Sequence, residues 1–552
     1  MLSPAANGLS YLRNRFSKPL RVVFVMVAIG LLLACINVMS LEFARARERR
    51  HELSVRLAIG AGRVRVIRQL VAESVLLALG GGLLGLAICR PAAAALTTLI
   101  SYQGAEGPNL PLRVDSRVLL FILAISIASA IVCGLVPAWR ATRAALLSGL
   151  QQGSRSASVS PVRPLLGRLA VALQLTLSIV LIAAAFLFAF SLQHLIRYDT
   201  GLNRRALFVL DLDTREAGYQ GAAVSAFNRR LLDKLSALPG VEAVTFSEDG
   251  LYSGRNSNGQ MGADGFSAPP GKRRNAYYDH VGPRYFTTLG ARILAGRDFD
   301  DRDNAAAPRV AIISQEFARH FFRDRNPIGL SIYYIEDPKP LQVVGVVGDI
   351  RARVRRKPES WFYLPQFQKN AEMFSSRFLV RSRLAPSALA PALRAAVRSA
   401  DPSVPILSID SADDLLNRTL DLDRLVAALS FAFGVLAAIL AAVGIYGLLA
   451  YEVTRRTGEI GIRVALGLTR AGVVALVFRE VALVGAIGMA AGAAAALALG
   501  RLVEGMVFEL KPGDPRVLAA AALLLAVVAA GAAWFPARRA ARLDPITALR
   551  HD

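Results

Sequence analysis

The sequence predicts an α-helical polytopic membrane protein with about seven transmembrane helices and one α+β domain outside the membrane. Three observations carry this prediction: long apolar runs, basic residues concentrated between those runs, and an internal repeat. Of the 552 residues, 54% are hydrophobic and only 19% are charged, and the mean hydropathy is +0.42. This composition excludes an ordinary soluble multidomain protein.

Seven apolar segments are long enough to cross a bilayer, because about 20 apolar residues span its hydrocarbon core. They lie at 22–44, 72–99, 117–139, 168–192, 425–451, 474–500 and 515–535. The second is the least regular, since Arg90 and Pro91 interrupt it. We therefore expect seven transmembrane helices embedded in a lipid bilayer.

The distribution of charge assigns the sides of the membrane. The chain has 65 Lys and Arg against 41 Asp and Glu, a net charge of +24. Residues 193–424 contain 33 basic and 27 acidic side chains, which leaves 32 basic and 14 acidic for the rest of the chain. Cytoplasmic loops carry excess Lys and Arg, so the basic segments at 45–68, 140–168, 452–472 and the C-terminal tail are expected in the cytoplasm. The charge is an orientation signal, and no nucleic-acid partner is expected.

The remaining segments face outward, namely the loops at 100–116 and 501–514 and the long stretch 193–424. Seven spans and a cytoplasmic C-terminus place the N-terminus outside. This placement conflicts with four basic residues that precede the first span: Arg13, Arg15, Lys18 and Arg21.

An internal repeat relates the two ends of the chain. At an offset of 407 residues, Glu52–Gly60 matches Glu459–Gly467, and Gly81-x-x-x-Gly85 matches Gly488-x-x-x-Gly492. Each third span then ends alike, with a helix-disrupting proline at Pro137 or Pro536. Matching residues at a nearly constant offset over this length predict two copies of a three-helix unit.

The repeat gives the domain organisation. We expect an N-terminal segment (1–20), a first three-helix unit (21–150), a cytoplasmic linker (151–167), a single helix (168–192), an outward domain (193–424) and a second three-helix unit (425–552). Only the second unit is preceded by a helix and a domain, so we expect the first unit to lack their counterparts.

The cytoplasmic loop of each copy carries the motif E-x-x-x-R-x-A-x-G. A glutamate and an arginine four residues apart share a helix face and can pair, which predicts short amphipathic helices at 48–62 and 455–469. They anchor to lipid headgroups or dock on a partner, and the identical placement of residues in both copies favours docking. The candidate docking residues are Glu52, Arg56, Gly60, Glu459, Arg463 and Gly467.

The glycine pairs permit close approach of helix backbones, so Gly81, Gly85, Gly488 and Gly492 are expected to pack helices within one unit or between units. Glu73 and Glu480 begin spans and are expected to be interfacial carboxylates or partners of a nearby arginine.

The sequence contains no catalytic signature. The ATP-binding motif G-x-x-x-x-G-K-[ST] is missing, as are H-E-x-x-H, G-x-S-x-G and C-x-x-C. The five histidines are scattered, and the three cysteines lie in apolar runs. We expect no catalytic residue, metal site or cofactor.

The outward domain has a mixed pattern. Strand-like runs at 206–212, 308–314, 341–348 and 377–381 alternate with helical runs at 221–237, 314–323 and 386–400. This alternation predicts an α+β fold.

Several motifs together resemble the MacB/FtsX-like permeases of ABC systems. They are the stretch at 459–467, Ile445–Gly447, the tail at 536–550, and, in the outward domain, the segments 238–242, 285–290, 296–299, 327–329 and 344–349. The resemblance covers essentially the whole chain and is strongest to the long duplicated permeases. Those members have a first helix and a first outward domain, and this sequence departs from them there.

The resemblance implies a bacterial inner-membrane permease with two FtsX-like units and a domain similar to the MacB periplasmic core. Its cytoplasmic loop helices would dock on a separate ATPase subunit, which alone binds ATP, and closure of the ATPase would move the outward domain. The expected function is export or extraction of a hydrophobic or peptide-like substrate. The alternatives are a non-transporting regulator that signals to a periplasmic partner such as a cell-wall hydrolase, and a degenerate orphan permease. The oligomeric state stays open between a homodimer and a pseudo-dimer.

Overall fold

A computed structural model describes the chain in two compact units, one formed by residues 1–194 and 422–552 and the other by Leu195–Asp421. The described residues are 11–49, 62–100, 115–149, 162–253, 257–266, 275–337, 339–351, 358–368, 376–455 and 468–541, with the single positions 52, 55, 56, 59, 462, 463, 465 and 466. We call the first the transmembrane unit and the second the extracytoplasmic unit.

Among the described residues, seven helices of the transmembrane unit are long and apolar enough to cross a membrane, which confirms the number predicted from hydropathy. They are α1 (Tyr11–Glu48), α2 (Arg63–Ile100), α3 (Ser116–Gly149), α4 (Val162–Arg197), α10 (Asp421–Arg455), α11 (Arg470–Val503) and α12 (Pro515–Ala540).

The prolines do not break these helices, which corrects the sequence prediction. Helix α3 continues from Pro137 to Gly149, and α12 passes Pro536 and ends at Ala540. Likewise, α2 runs without interruption through Arg90 and Pro91. A proline removes one backbone hydrogen bond from a helix, and neighbouring helices make this tolerable in a membrane.

Helix α4 lies in the centre of the transmembrane unit. One face of α4, with Leu175, Ile179 and Ile182, packs in a core with residues of α10, α11 and α12. Another face, with Val180 and Leu181, packs with residues of α1 and α10. Helix α4 therefore joins the helices of both repeats.

The extracytoplasmic unit, over the ranges that the structure describes, is built on eleven strands. They are β1 (Leu207–Leu212), β2 (Val241–Ser247), β3 (Ser257–Ala263), β4 (Asn275–Val281), β5 (Ile293–Gly296), β6 (Val310–Ser314), β7 (Ser331–Tyr334), β8 (Leu341–Val347), β9 (Trp361–Pro365), β10 (Ser376–Ser382) and β11 (Ile406–Ser411). The α-helices described between them are α5 (Ala222–Ser236), α6 (Tyr285–Leu289), α7 (Gln315–Phe321), α8 (Pro386–Ala400) and α9 (Ala412–Thr419).

The strands pair in the order β11-β1-β10-β2-β4-β3-β7-β8-β6-β9, and β5 pairs with β8. A parallel pairing of β4 with β9 closes the second part of this path into a ring. The α+β fold is thus confirmed, and the predicted strands and helices are present with shifts of a few residues at their ends.

Three clusters of buried apolar side chains hold the extracytoplasmic unit together. Helices α5 and α8 cover the antiparallel part of the sheet, where Phe227, Leu231 and Leu393 are fully buried. The closed part surrounds an aromatic cluster in which the rings of Phe317 and Phe321 stack with centroids 4.3 Å apart. Burial of large apolar side chains contributes roughly 2 kcal/mol each to folding.

A buried carboxylate lies on β4. Asp279 Oδ1 accepts hydrogen bonds from the backbone N–H groups of Glu248 (3.2 Å) and Asp249 (2.9 Å). Beside it, His280 Nδ1 lies 2.7 Å from Glu248 Oε2. Burial raises the pKa of Asp279 to about 8, because desolvation of the charged form outweighs these hydrogen bonds.

We expect Asp279 to make the stability of the extracytoplasmic unit depend on pH. The ordinary pKa of this carboxyl is 3.8 and the folded value is about 8, so the folded state binds more protons between these values. Stability should fall as pH rises through this range, by up to about 1.4 kcal/mol per pH unit, and Asp279→Asn should remove this dependence.

Hydrogen exchange of β4 in the full-length protein, corrected for the intrinsic exchange rate at each pH, measures the effect between pH 6 and pH 8.5. Asp324→Asn, a change at an exposed carboxylate, serves as the control. Equal pH dependence in the wild-type protein and Asp279→Asn would contradict the assignment.

Candidate functional site

The loop after α1 contains one helical turn that exposes a glutamate–arginine pair. The Ile59 N–H donates to the Val55 carbonyl at 3.0 Å, as in an α-helix. Glu52 and Arg56 form an ion pair on one side of this turn, as four-residue spacing predicts. Glu52, Val55, Arg56 and Ile59 make up what we call the first loop turn.

The loop after α10 contains a matching turn. The Leu466 N–H donates to the Ile462 carbonyl at 3.0 Å, and the Leu468 N–H donates to the Arg463 carbonyl at 2.9 Å. Ile462, Arg463, Ala465 and Leu466 make up the second loop turn. Gly60, Glu459 and Gly467 lie outside the described residues, so their proposed roles stay predictions.

The two turns expose apolar side chains at equivalent positions of the repeat. Ile59 and Leu466 are each 82% exposed, and they are 407 residues apart. Val55 and Ile462, also 407 apart, are 42% and 51% exposed. Each turn thus presents two apolar residues one helical turn apart, next to an exposed arginine.

Sequence reasoning selected the charged residues and the glycines of the motif as docking candidates and did not select these apolar ones. The usable signal was present in the repeat, because an apolar residue recurs at both positions of both copies. Hydropathy alone could not show that these side chains are exposed rather than packed.

Polar contacts attach the first loop turn to the start of α2. Arg56 Nη1 donates to Gln69 Oε1 at 3.2 Å, and Gln69 Nε2 donates to Glu73 Oε1 at 3.4 Å. Glu73 also accepts from Arg49 Nη1 at 2.9 Å, which is the arginine pairing that the sequence suggested for Glu73. Side-chain contacts thus link the first loop turn, and Arg49 just after α1, to the start of α2.

The second glycine pair packs α11 closely against α4. A methyl group on Gly488 would lie 2.8 Å from Leu175 Cβ, and one on Gly492 would lie 2.7 Å from Ile179 Cβ. In addition, Thr176 Oγ1 donates to the Gly488 carbonyl at 3.1 Å. The packing role suggested by the Gly-x-x-x-Gly spacing fits this geometry.

The first glycine pair has different surroundings. Within the described part of the chain, no atom outside its own helix lies within 4 Å of a methyl group placed on Gly81 or Gly85. The packing role of these two glycines stays a prediction.

Further polar groups on α4 reach neighbouring helices. Gln174 Nε2 donates to Asn37 Oδ1 of α1 at 3.3 Å and to the Leu440 carbonyl of α10. Gly444 makes room for this amide, since a methyl group there would overlap the Gln174 side chain. Polar residues at such depth in a membrane unit pair with one another or with backbone carbonyls.

A seven-helix unit of two repeats with an extracytoplasmic α+β domain defines a class of membrane protein, and comparisons give its family. The FtsX-like permease C-terminal family matches residues 24–146 and 431–545, and the MacB-like periplasmic core domain family matches residues 118–400. The chain belongs to the MacB/FtsX-like superfamily of ABC permeases.

Curated relatives include the macrolide export ATP-binding/permease protein MacB of Burkholderia cenocepacia (strain HI2424), 29% identical over 292 residues, which are 50% of this chain and 42% of that protein. MacB of Bradyrhizobium diazoefficiens is 27% identical over 296 residues, 51% of this chain and 44% of that protein. The match thus spans less than half the length of these relatives.

Two matching solved structures are extracytoplasmic domains of such transporters. The periplasmic region of MacB from Actinobacillus actinomycetemcomitans aligns at a TM-score of 0.28 and 15% identity, covering 40% of this chain and 95% of that one. The extracellular domain of the noncanonic ABC-type transporter YknZ from Gram-positive bacteria aligns at 0.25 and 16%, covering 36% and 100%.

The repeat offers a matched pair of variants that tests helix packing. Gly488→Val should destabilise the transmembrane unit by about 1–3 kcal/mol, because added methyl groups overlap α4. Gly81→Val at the equivalent position should change stability little. Both variants alter helix propensity equally, so the difference reports packing.

Thermal unfolding of the full-length protein in detergent measures this difference. Equal shifts in the melting temperatures of the two variants would show that Gly488 has no special packing role.

Proposed function

We propose that the chain is the permease subunit of an ABC export system in the bacterial inner membrane. Its two loop turns bind a separate ATPase subunit, and closure of the ATPase moves the extracytoplasmic unit. One observation carries the proposal: both copies of the repeat present the same exposed turn, with apolar residues at Val55 and Ile59 and at Ile462 and Leu466.

The fixed positions of the motif favour docking over lipid anchoring. Helices that lie in a membrane interface carry Trp, Phe or Leu on the apolar face, and the segments 48–62 and 455–469 contain leucine but no Trp, Tyr or Phe. Lipid anchoring needs an apolar face and positive charge but no fixed positions. The recurrence of identical residue types at fixed positions in two copies is instead typical of two equivalent contacts on a dimeric partner.

A single helix connects the second loop turn with the extracytoplasmic unit. Helix α10 has 35 residues, begins at Asp421 and ends at Arg455 shortly before the turn. At about 1.5 Å per residue it is roughly 52 Å long. A push on the second turn would thus reach the extracytoplasmic unit through one continuous helix, which supports mechanical transmission.

The cargo we propose is a hydrophobic or peptide-like molecule. The support is the macrolide export for which the MacB relatives are named, together with the family to which the chain belongs. ATP binding is assigned to the partner because the sequence has no P-loop motif. The alternative is a regulator that transports nothing. In that case the movement of the extracytoplasmic unit would be passed to a periplasmic partner such as a cell-wall hydrolase.

Variants of the two loop turns test the docking. Ile59→Glu and Leu466→Glu should each lower the affinity for the ATPase at least tenfold, because a carboxylate would be buried against the partner without a counter-ion. The measurement is co-purification from membranes, with the ATPase identified by its P-loop peptides. Val64→Glu, at an exposed residue outside the turn, is the control.

A second variant separates docking from folding of the turn. Exchanging the charges in Glu52→Arg/Arg56→Glu preserves the internal ion pair but inverts the surface. If the ATPase recognises these side chains, it should no longer co-purify with the exchange variant. Undiminished co-purification in the exchange variant and in both glutamate variants would refute the docking assignment.

A further inference from the structure

A cavity of about 520 Å³ lies inside the transmembrane unit between α1, α4 and α11. Its wall is mainly apolar and includes Val22, Ile29, Val180, Leu187 and Leu499. The volume is within the range of about 300–1,000 Å³ typical of small-molecule sites. The wall suits a hydrocarbon chain.

Three cationic side chains complete the lining: Lys18, Arg21 and Arg501. Among the described residues none of them makes an ion pair, and Arg21 donates from Nε to the Ser17 carbonyl, four residues earlier, at 3.3 Å. Lys18 Nζ lies next to Gly505, since a methyl group on that glycine would be 3.6 Å from it. One end of an apolar cavity thus carries three positive charges that form no ion pair with a carboxylate among the described residues.

The cationic end faces the extracytoplasmic side. Helix α4 contributes Val180–Phe188 to the wall and enters the extracytoplasmic unit after His194. The cavity is therefore in the outer half of the membrane, where lysine and arginine are disfavoured next to transmembrane helices. Three basic side chains on one cavity in the outer half of the membrane therefore require an explanation other than the positive-inside rule.

We propose that this cavity binds an anionic phospholipid from the outer leaflet, with an acyl chain between α1, α4 and α11 and the phosphate on Lys18, Arg21 and Arg501. A phospholipid combines the two chemistries that the cavity presents, an apolar body and an anion at one end. The same site accounts for Lys18 and Arg21, two of the four basic residues ahead of the first span, which the topology alone leaves unexplained. The site is independent of ATPase docking.

The test measures lipid binding to the full-length protein without ATPase or ATP. The protein is purified in detergent, and phosphatidylglycerol and phosphatidylcholine of equal chain length are titrated and followed by native mass spectrometry. We expect a preference for phosphatidylglycerol. Each cation near anionic lipid is worth about a fivefold change in affinity, so Lys18→Gln/Arg21→Gln/Arg501→Gln should lose roughly a hundredfold.

Two further variants separate the site from general charge and from misfolding. Arg516→Gln removes an exposed cation at the start of α12, outside the cavity wall, and should bind as the wild type does. Ala184→Phe fills the cavity without a change of charge and should also lose phosphatidylglycerol. Arg21→Lys should keep most of the affinity, which shows that the charge is what matters.

Three outcomes would overturn the proposal. The first is equal binding of the two lipids, and the second is unchanged phosphatidylglycerol binding in the triple variant or in Ala184→Phe. The third is displacement of bound lipid by millimolar inorganic phosphate, which would show a simple anion site with no use for the apolar cavity. Loss of lipid binding with intact ATPase co-purification would support the site and leave the docking proposal untouched.

Discussion

Close backbone packing around α4 is the constraint on which the transmembrane unit depends. Lipid tails are as apolar as leucine, so helices in a membrane associate through tight packing and polar contacts rather than through a hydrophobic driving force. Helix α4 uses both. It meets Gly488 and Gly492 of α11 at backbone distance, and its Gln174 and Ser178 donate to carbonyl groups of α10.

This packing explains why the two copies of one repeat are not equivalent. In the second copy the glycine pair has α4 as its neighbour, whereas the equivalent face at Gly81 and Gly85 meets no neighbouring helix among the described residues. Helix α1 of the first copy reaches α4 instead through Asn37 and the apolar residues that face Val180 and Leu181. Several of these same apolar residues also line the cavity between α1, α4 and α11.

Hydropathy and the repeat predict most of the architecture. Seven spans, two copies and an α+β domain follow from sequence patterns because burial in lipid or in a core imposes regular periodicity. The strands that were missed include short ones, such as β5 and β7, and polar ones, such as β3, where Gly259 and Gly262 lie under tyrosine rings of β7. The prolines misled the prediction because a membrane helix tolerates a local break in its hydrogen bonds.

The candidate sites were less predictable, since they depend on exposure and on contacts between distant residues. The charged residues of the loop motif could be selected from their spacing, but the exposure of Ile59 and Leu466 could not. In the same way, Lys18 and Arg501 are separated by almost the whole chain. Nothing local in the sequence indicates that they line one cavity, or that Asp279 is buried beside Asp249.

The central claim is that both loop turns touch the ATPase at equivalent positions. Its most direct test places a photo-reactive amino acid at Ile59, at Leu466 or at the membrane-facing Leu83, and irradiates cells that contain the assembled system. We predict cross-links to the ATPase from Ile59 and from Leu466 and none from Leu83. Cross-links from both turns to lipid alone would contradict the account and make the turns interfacial anchors.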